Sequence, residues 1–331
     1  MKARNRVVIV LAGIMSLALV LSGCGGAKDQ GKKDTYPDKP VEFVVHTNPG
    51  DGVETFIRTA GDTMNKEKMV GQPINIINKV GGSGAAAMSY VADKKSDQYT
   101  LITAQPSTLT TPLRNNLKVS YKNFTPICNM IAEESVVAVR TESPFKSMSD
   151  LIEAAKKSPK SVSHGVGVLG SADTILDYMI AKKTGVQFNM ISFKGGSENM
   201  IALLGGNVDF ITVNPSEAVG QVQAGKVRLL GVASNKRMAK LPDVPTLKEQ
   251  GIDVVFQSFR GVNGTAEMKP ETVKYWEDAF KKVTQAPAWK KYLEDNYITD
   301  TYMNSADFSK YLAEQEVMYK EILTEMGVIK K

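Results

Sequence analysis

The chain has 331 residues, a formal net charge of +6, two cysteines and two histidines. The basic excess is mild and shows no basic patch with interleaved aromatic residues, so the sequence does not support nucleic-acid binding. No clustered His, Cys, Asp or Glu ligands are present for a metal, and nothing in the sequence calls for a cofactor. The length exceeds one average domain, so two lobes are the default expectation.

The chain begins with a segment that is typical of secretion. A basic start precedes an uncharged run over residues 7–21, which is shorter than the roughly 20 apolar residues that span a bilayer and fits a signal peptide over 1–23. The run ends in Leu-Ser-Gly-Cys, which looks like a lipobox, so we expect a lipid on Cys24 and a flexible tether over 24–35. The sequence therefore predicts an extracytoplasmic protein that is bound to the membrane through this lipid. The alternative is an ordinary buried cysteine near a cleavage site.

From residue 41 onward, short β-rich runs alternate with helical patterns. This alternation predicts α/β lobes with largely parallel sheets. Glycines stand just past several predicted helices, where a left-handed residue is needed. The predicted helices cover 52–65, a segment that begins near Ser83, 148–158, 171–184 and 215–224.

The last third of the chain changes character. After the apolar run "VVFQSFRGVNG" the pattern predicts helices to the end, with Pro270 at a helix start. A long amphipathic helix is predicted from about Ala306 to Met326, with Phe308 and Leu312 on its apolar stripe. Such a stripe indicates packing and not a cofactor site.

The sequence contains no arrangement of residues that is typical of an enzyme. His46 and His164 each stand alone at a strand end, without a Gly-x-Ser-x-Gly elbow, and we interpret both as hydrogen-bonded structural residues. Cys128 lies in an apolar run and is interpreted as a small buried hydrophobic residue. We therefore predict a protein that is not an enzyme.

A strand, a turn rich in glycine, serine or threonine, and then a helix recur along the chain. In open α/β sheets, ligands bind at the carboxyl ends of the strands, where these turns lie. Several helix N-termini around one crevice supply positive partial charge without a metal or a nucleophile. This arrangement can hold an anion, particularly a carboxylate. The turns cover 47–55, 103–108, 165–172, 194–197 and 213–216.

The ordered motifs resemble a known family over almost the whole chain from Tyr36. They are "YPDKPVEFVV", "NPGDGVETFIR", "GQPINIINKVGGSG", "ISFKGGSENMIALLGGNVDF" and "AGKVRLLGVASNKRMAKLPDVPTLKEQG", and they are similar to the TctC/Bug solute receptors of tripartite tricarboxylate transporters. The resemblance implies an α/β, type II periplasmic-binding-protein fold, with two α/β lobes joined by a two-strand hinge. It also implies that the lobes close on a small organic acid and deliver it to the membrane subunits of the transporter. We place lobe 1 at 36–135 plus 256–331 and lobe 2 at 136–255, and we expect a monomer.

The resemblance also implies which turns bind the ligand. In the family, the turn after the first strand and the turn that opens the second helix of lobe 2 clamp a ligand carboxylate, largely through backbone N–H groups. The turn at 103–108 and the loop at Asn214 line the remaining pocket. Arg260 and Lys194 are candidates for a distal carboxylate; the alternatives are an ion pair for Arg260 and simple packing for Lys194. The predicted ligand-binding residues are Thr47, Asn48, Pro49, Gly50, Asp51, Gly52, Val53, Glu54, Thr103, Gln105, Ser107, Gly167, Val168, Leu169, Gly170, Ser171, Lys194, Asn214, Phe259 and Arg260.

Two interpretations of the first turn remain open. Asp51 and Glu54 stand three residues apart, as in a capping box, and would satisfy the N-terminal amides themselves. Alternatively, the amides of residues 50–53 hold the ligand carboxylate, and Glu54 selects which acid enters. Arg58 is expected to pair with Glu54.

The class of ligand is open as well. The prediction is a di- or tricarboxylate or a related organic acid. The alternative ligands are an amino acid, a nicotinate-like acid or a thiamine-like compound. An alternative role for the protein is that of a receptor that presents its ligand to a sensor kinase.

Overall fold

The structure is a computed structural model that describes residues 36–167, 170–193 and 196–330. The first elements are β1 (Val41–Val45), α1 (Gly52–Lys66), β2 (Ile74–Asn78), α2 (Ala85–Ala92), β3 (Thr100–Ala104), α3 (Pro106–Asn115) and β4 (Thr125–Glu134). The next are β5 (Val136–Arg140), α4 (Met148–Lys157), β6 (Ser163–Val166), α5 (Ala172–Thr184), β7 (Asn189–Ser192), α6 (Gly196–Leu204), β8 (Phe210–Val213), α7 (Pro215–Gln223) and β9 (Val227–Val232). The last are β10 (Gln257–Gly264), α8 (Pro270–Gln285), α9 (Pro287–Asp295), β11 (Thr299–Met303) and α10 (Ser305–Glu325).

The strands form two mixed sheets. The six-stranded sheet has the order β11-β4-β10-β3-β1-β2, and the five-stranded sheet has the order β7-β6-β8-β5-β9. The pairs β1–β2, β1–β3, β6–β7 and β6–β8 are parallel. The pairs that involve β4, β5 and β10 are antiparallel. The expectation of largely parallel sheets is therefore wrong for these five of the nine described pairings, because the strands that join the two sheets run against their neighbours.

The helices follow the sequence prediction closely. The five helices predicted in the first two thirds all form, with ends that shift by one or two residues. The long terminal helix is confirmed, and its Phe308, Leu312 and Tyr319 are fully buried. The expectation of only helices after residue 264 is wrong, because β11 adds an edge strand against β4. Its sequence, Thr-Asp-Thr-Tyr-Met, carries two exposed polar residues and gives no apolar signal.

The chain passes between the two sheets at two places. Only Ser135 separates the end of β4 from the start of β5. On the way back, the Phe256 N–H donates to the Ala233 carbonyl oxygen at 2.8 Å, just before β10 begins and pairs with β4. Both passages therefore lie beside one another, next to the cleft described below.

Close packing of α10 on the first sheet needs a glycine in β10. A Cβ atom on Gly261 would lie 2.5 Å from the Cys128 carbonyl oxygen and 2.7 Å from Cζ of Phe308. Such contacts are too short for any other residue, since buried side chains are already close-packed. This glycine keeps β10, and with it the neighbouring Arg260, close to β4.

Candidate functional site

A cleft lies between the turns that follow strands of both sheets, and it contains two adjoining cavities of about 320 and about 430 Å³. Both volumes are in the range of small-molecule pockets, roughly 300–1,000 Å³. The first compartment is lined, among others, by His46, Gln105, Ser107, Arg114 and Ser171. The second compartment is lined, among others, by Asp51, Gly52, Gly196, Glu217 and Tyr292. The wall common to both compartments consists of Glu133, Asn214 and Arg260.

The structure brings many of the predicted binding residues to these walls. Those that line one or both compartments are Gly50, Asp51, Gly52, Val53, Gln105, Ser107, Gly170, Ser171, Asn214, Phe259 and Arg260. Gly167 lines a smaller neighbouring cavity that shares Ser171 and Asn214. Residues that line none of these cavities are Thr47, Asn48, Pro49, Glu54 and Thr103. Predicted positions outside the described residues are Cys24, Val168, Leu169 and Lys194.

A buried ion pair forms the common wall. The guanidinium of Arg260 on β10 contacts Oε2 of Glu133 on β4, and the two side chains are 11% and 6% exposed. The same Oε2 accepts a hydrogen bond from Asn214 Nδ2 at 2.9 Å. Burial raises the pKa of the Glu133 carboxyl, and Arg260 opposes that rise. The pair therefore joins the end of β4 to the turn before α7.

One guanidinium nitrogen of Arg260 has no acceptor in the described part of the chain. Among the described residues, Nη1 has no hydrogen-bond partner although it is buried. An unsatisfied buried donor costs about 1–3 kcal/mol, and more when it is charged. Nη1 is thus a buried donor without an acceptor, on a residue that lines both compartments.

Gly52 is the residue that lets this guanidinium lie over the start of α1. A Cβ atom at this position would be 3.2 Å from both Nη1 and Nη2 of Arg260. That spacing is tight for any side chain, so glycine keeps the approach open.

The first turn is occupied by carboxylates of the protein itself. The Gly50 N–H donates to Glu54 Oε2 at 3.0 Å, and the Gly52 N–H donates to Asp51 Oδ1 at 2.9 Å. Glu54 also accepts from Arg58, as expected, and the residue is only 1% exposed. Burial would raise the pKa of Glu54, but the bonds from Arg58 and Gly50 lower it. The geometry is closer to the first of the two interpretations, although no capping box forms: Asp51 and Glu54 accept from the amides of Gly52 and Gly50, and Glu54 lines neither compartment.

The turn before α5 has the same character. Asp173 accepts hydrogen bonds from the Gly167 N–H, the Ser171 hydroxyl and the Thr174 N–H. The Gly170 N–H donates to Thr174 Oγ1 at 2.8 Å. Here too, a side chain of the protein occupies amides that the resemblance assigned to a ligand carboxylate.

Comparison with known proteins identifies the family. Residues 57–328 match the family model of the tripartite tricarboxylate transporter family receptor, TctC. The chain belongs to this family. The members are periplasmic solute-binding proteins and not enzymes, so the chain is an extracytoplasmic solute receptor.

Individual relatives agree with this assignment. The receptor is 33% identical to the UPF0065 protein in the gbd 5′ region of Cupriavidus necator, over 99% of each chain. Its structure is similar to a TctC solute binding protein from Polaromonas, with a TM-score of 0.76, 28% identity, and coverage of 88% of this chain and 100% of the other. It also shares its fold with the R. palustris protein Rpa4515, solved with adipate, at a TM-score of 0.78 and 24% identity, over 88% and 98% of the two chains.

His46 lines the first compartment of the receptor, although the sequence suggested only a structural role. Its Nδ1 lies 2.8 Å from Nε2 of Gln105, the residue that precedes α3. Burial lowers the pKa of His46 to about 4; Asp51 opposes this and Arg260 adds to it. The ring is therefore neutral at physiological pH. The available signal was its position, directly after β1 and before the predicted binding turn.

Glu217 is the second residue that the sequence did not single out. It lies in the first turn of α7, in the second compartment. The residue is exposed, but its carboxylate sits against protein: a Cβ atom on Gly196 would be 3.1 Å from Cδ of Glu217. Burial and the nearby Glu133 raise its pKa to about 6, while Arg260 lowers it. The available signal was an acid four residues after the strand–turn junction at Val213, which more often serves to stabilise a helix N-terminus.

The other titratable residues that the sequence raised are structural. His164 is fully buried, stacks on Phe210 at 4.1 Å, and contacts Asp177 Oδ1 through Nδ1 at 2.6 Å. Cys128 is fully buried, as expected. In the described part of the chain, no group of three or more His, Cys, Asp or Glu side chains could hold a metal ion. No described helix has the length and apolar character to cross a bilayer.

Proposed function

We propose that the receptor binds a small organic acid in the cleft and delivers it to the membrane subunits of a tripartite tricarboxylate transporter. The lobes would be 36–135 plus 256–331 and 136–255, and one chain would form the whole site as a monomer. Binding would stabilise the closed arrangement through contacts with both lobes.

One observation carries the proposal: the buried Arg260 with its unpartnered Nη1. A carboxylate oxygen on Nη1 would make a charge-assisted hydrogen bond, which contributes about 1.5–3 kcal/mol. Arg114 adds a second guanidinium to the first compartment, and Ser107 and Ser171 add hydroxyl groups. The adipate bound to the R. palustris protein supports a carboxylate as the kind of ligand that this fold holds.

The clamp itself differs from the one that the resemblance implies. The amides of Gly50 and Gly52 and the turn before α5 already bind Asp51, Glu54 and Asp173. Side chains, and Arg260 above all, therefore supply the groups for the ligand carboxylate in this proposal.

The test is a thermal-shift and calorimetric panel of mono-, di- and tricarboxylates with the wild-type receptor. A ligand at 100 times its Kd adds about 2.7 kcal/mol to the free energy of unfolding, so a true ligand gives a clear rise in Tm. Arg260→Met should weaken binding of that acid by about 10- to 150-fold, because one charge-assisted hydrogen bond is lost.

A double variant separates the loss of the binding group from the loss of stability. Arg260→Met alone leaves Glu133 buried without its cation, so Arg260→Met/Glu133→Gln removes both charges. Arg237→Met/Glu249→Gln, at an exposed ion pair, is the matched control and should bind like the wild type. Acid binding by the Arg260→Met/Glu133→Gln variant at wild-type affinity would contradict the proposal, as would binding of neutral or cationic compounds only.

We also propose that a lipid on Cys24 anchors the receptor, with 24–35 as the tether; both lie outside the described residues. Cys24→Ala should move the receptor from the membrane fraction to the soluble fraction. Unchanged fractionation would contradict the anchor and would leave the binding proposal intact.

A further inference from the structure

The two compartments of the cleft differ in charge. Among the described residues of the first, Arg114 and Arg260 face one carboxylate, Glu133. The second has three carboxylates, Asp51, Glu133 and Glu217, against the single guanidinium of Arg260. One end of the cleft therefore favours an anion, and the other favours a cation.

The net negative charge of the second compartment does not come from the Arg260–Glu133 ion pair. Glu133 is neutralised by Arg260 and holds Asn214. The carboxylates of Asp51 and Glu217 remain. Asp51 accepts one backbone N–H, from Gly52, through Oδ1. The described residues make no ion pair with either.

Of the two carboxylates, that of Glu217 has fewer hydrogen bonds with the described residues than that of Asp51. Its carboxylate accepts no hydrogen bond from the described residues, and it lies against Gly196 in the second compartment. Burial raises its pKa most; Glu133 on β4, Asp51 before α1 and Asp173 on α5 raise it further, while Arg260 on β10 lowers it. A cation beside Glu217 would relieve this repulsion.

Arg260 lies between the two compartments of the cleft. The residue is 9% exposed, lines both compartments, and has an unpartnered Nη1. A bound anion is thus expected directly beside the acidic compartment. The acids do not converge closely enough for a metal ion among the described residues, whereas an ammonium group offers three separate N–H donors to spaced carboxylates.

We infer that the ligand is an organic acid that also carries an amine, with its carboxylate on Arg260 and its ammonium group between Asp51 and Glu217. This inference rests on the proposed function, because it assumes that an acid enters the cleft. It narrows the ligand class from plain carboxylic acids to zwitterionic or amino-dicarboxylic acids.

The test compares acids that differ only in an amino group: succinate with L-aspartate, glutarate with L-glutamate, and butyrate with 4-aminobutyrate. Their Kd values are measured by calorimetry at pH 7.5 with the wild-type receptor, Glu217→Gln and the control Glu271→Gln. Glu271 is an exposed acid in the first turn of α8, away from the cleft. Circular dichroism and the Tm of the free proteins confirm folding of each variant.

The expected result is that the amino compound binds at least 10-fold tighter than its plain partner. Glu217→Gln should reduce that preference at least 5-fold without weakening the plain acid, and Glu271→Gln should leave it unchanged. Equal or tighter binding of the plain acids, or a preference that survives Glu217→Gln, overturns the inference and leaves the proposed function standing. If none of these six acids binds but another carboxylate of the wider panel does, the inference fails and the proposed function stands; if no acid of either panel binds, both fail.

Discussion

The two compartments of the cleft share a wall but differ in what they can bind. Both contact the Arg260–Glu133 pair and Asn214. The first adds Arg114, hydroxyl groups and a neutral His46, whereas the second adds Asp51 and Glu217. The glycine turns on either side hold carboxylates of the protein itself, so they do not make the difference. Side chains beside the turns, and not the turns themselves, therefore set the charge that each end of a bound ligand must have.

The largest effect should come from breaking the common wall. Glu133→Gln leaves Arg260 buried without a counter-charge, and removing one partner of a buried pair costs about 3–5 kcal/mol. Because Gln keeps an acceptor and the shape, we expect about 3 kcal/mol of lost stability in urea unfolding. A carboxylate ligand should restore much of it, since it can replace Glu133 beside Arg260.

The ligand-dependent rescue distinguishes this variant from simple damage to the core. A Glu133→Gln receptor that is as stable as the wild type without ligand would show that the ion pair is not the support of the wall.

A smaller loss of stability and affinity is expected from a variant that changes the first compartment alone. Gly170 has φ +84°, and a Cβ atom there would lie 2.6 Å from Cδ of Arg114. Gly170→Ala should cost about 1–2 kcal/mol for the left-handed backbone and should also displace Arg114, so acid binding weakens by several-fold. The measurements are urea unfolding and the Kd of the best acid.

Gly185→Ala is the matched control for that variant. Gly185 has φ +74° with nothing within 4 Å of its Cβ position. It should show the backbone cost without the loss of binding. Equal losses of affinity in both variants would mean that Arg114 has no part in the first compartment.

The smallest effect concerns the pH dependence of the second compartment. Since the pKa of Glu217 is raised from 4.5 to about 6 in the folded state, its ionisation destabilises the fold as pH rises through this interval. Glu217→Gln should therefore raise Tm by about 1–2 °C at pH 7 and leave it unchanged at pH 4. The same titration should weaken the preference for amino compounds below about pH 6. A Tm difference that is the same at both pH values would contradict the raised pKa.

Much of the fold could be predicted from local patterns. The starts of α1, α5 and α7 followed from the turns rich in glycine, serine or threonine that precede them, and α10 followed from its apolar stripe. The sheet topology did not follow, because the antiparallel pairing of β4, β5 and β10 depends on contacts far apart in the chain. β11 was missed because an exposed edge strand has no apolar alternation.

The site was predictable as a set of turns but not as a set of contacts. The sequence placed Asp51 and Glu54 in the first turn, yet the amides from which they accept depend on the folded path of the turn. Arg260 could be named as a candidate for a ligand carboxylate or an ion pair, but its partner Glu133 is 127 residues away. Glu217 acquires its significance from Glu133, Asp51 and Asp173, which no local motif brings together.

The most direct test is a crystal structure of the receptor with the acid that gives the largest rise in Tm. We expect a ligand that lies in the cleft and contacts both lobes, with a carboxylate oxygen about 2.7–2.9 Å from Arg260 Nη1. A ligand bound elsewhere, or one that lies in the cleft and leaves Nη1 without an acceptor, would contradict this expectation.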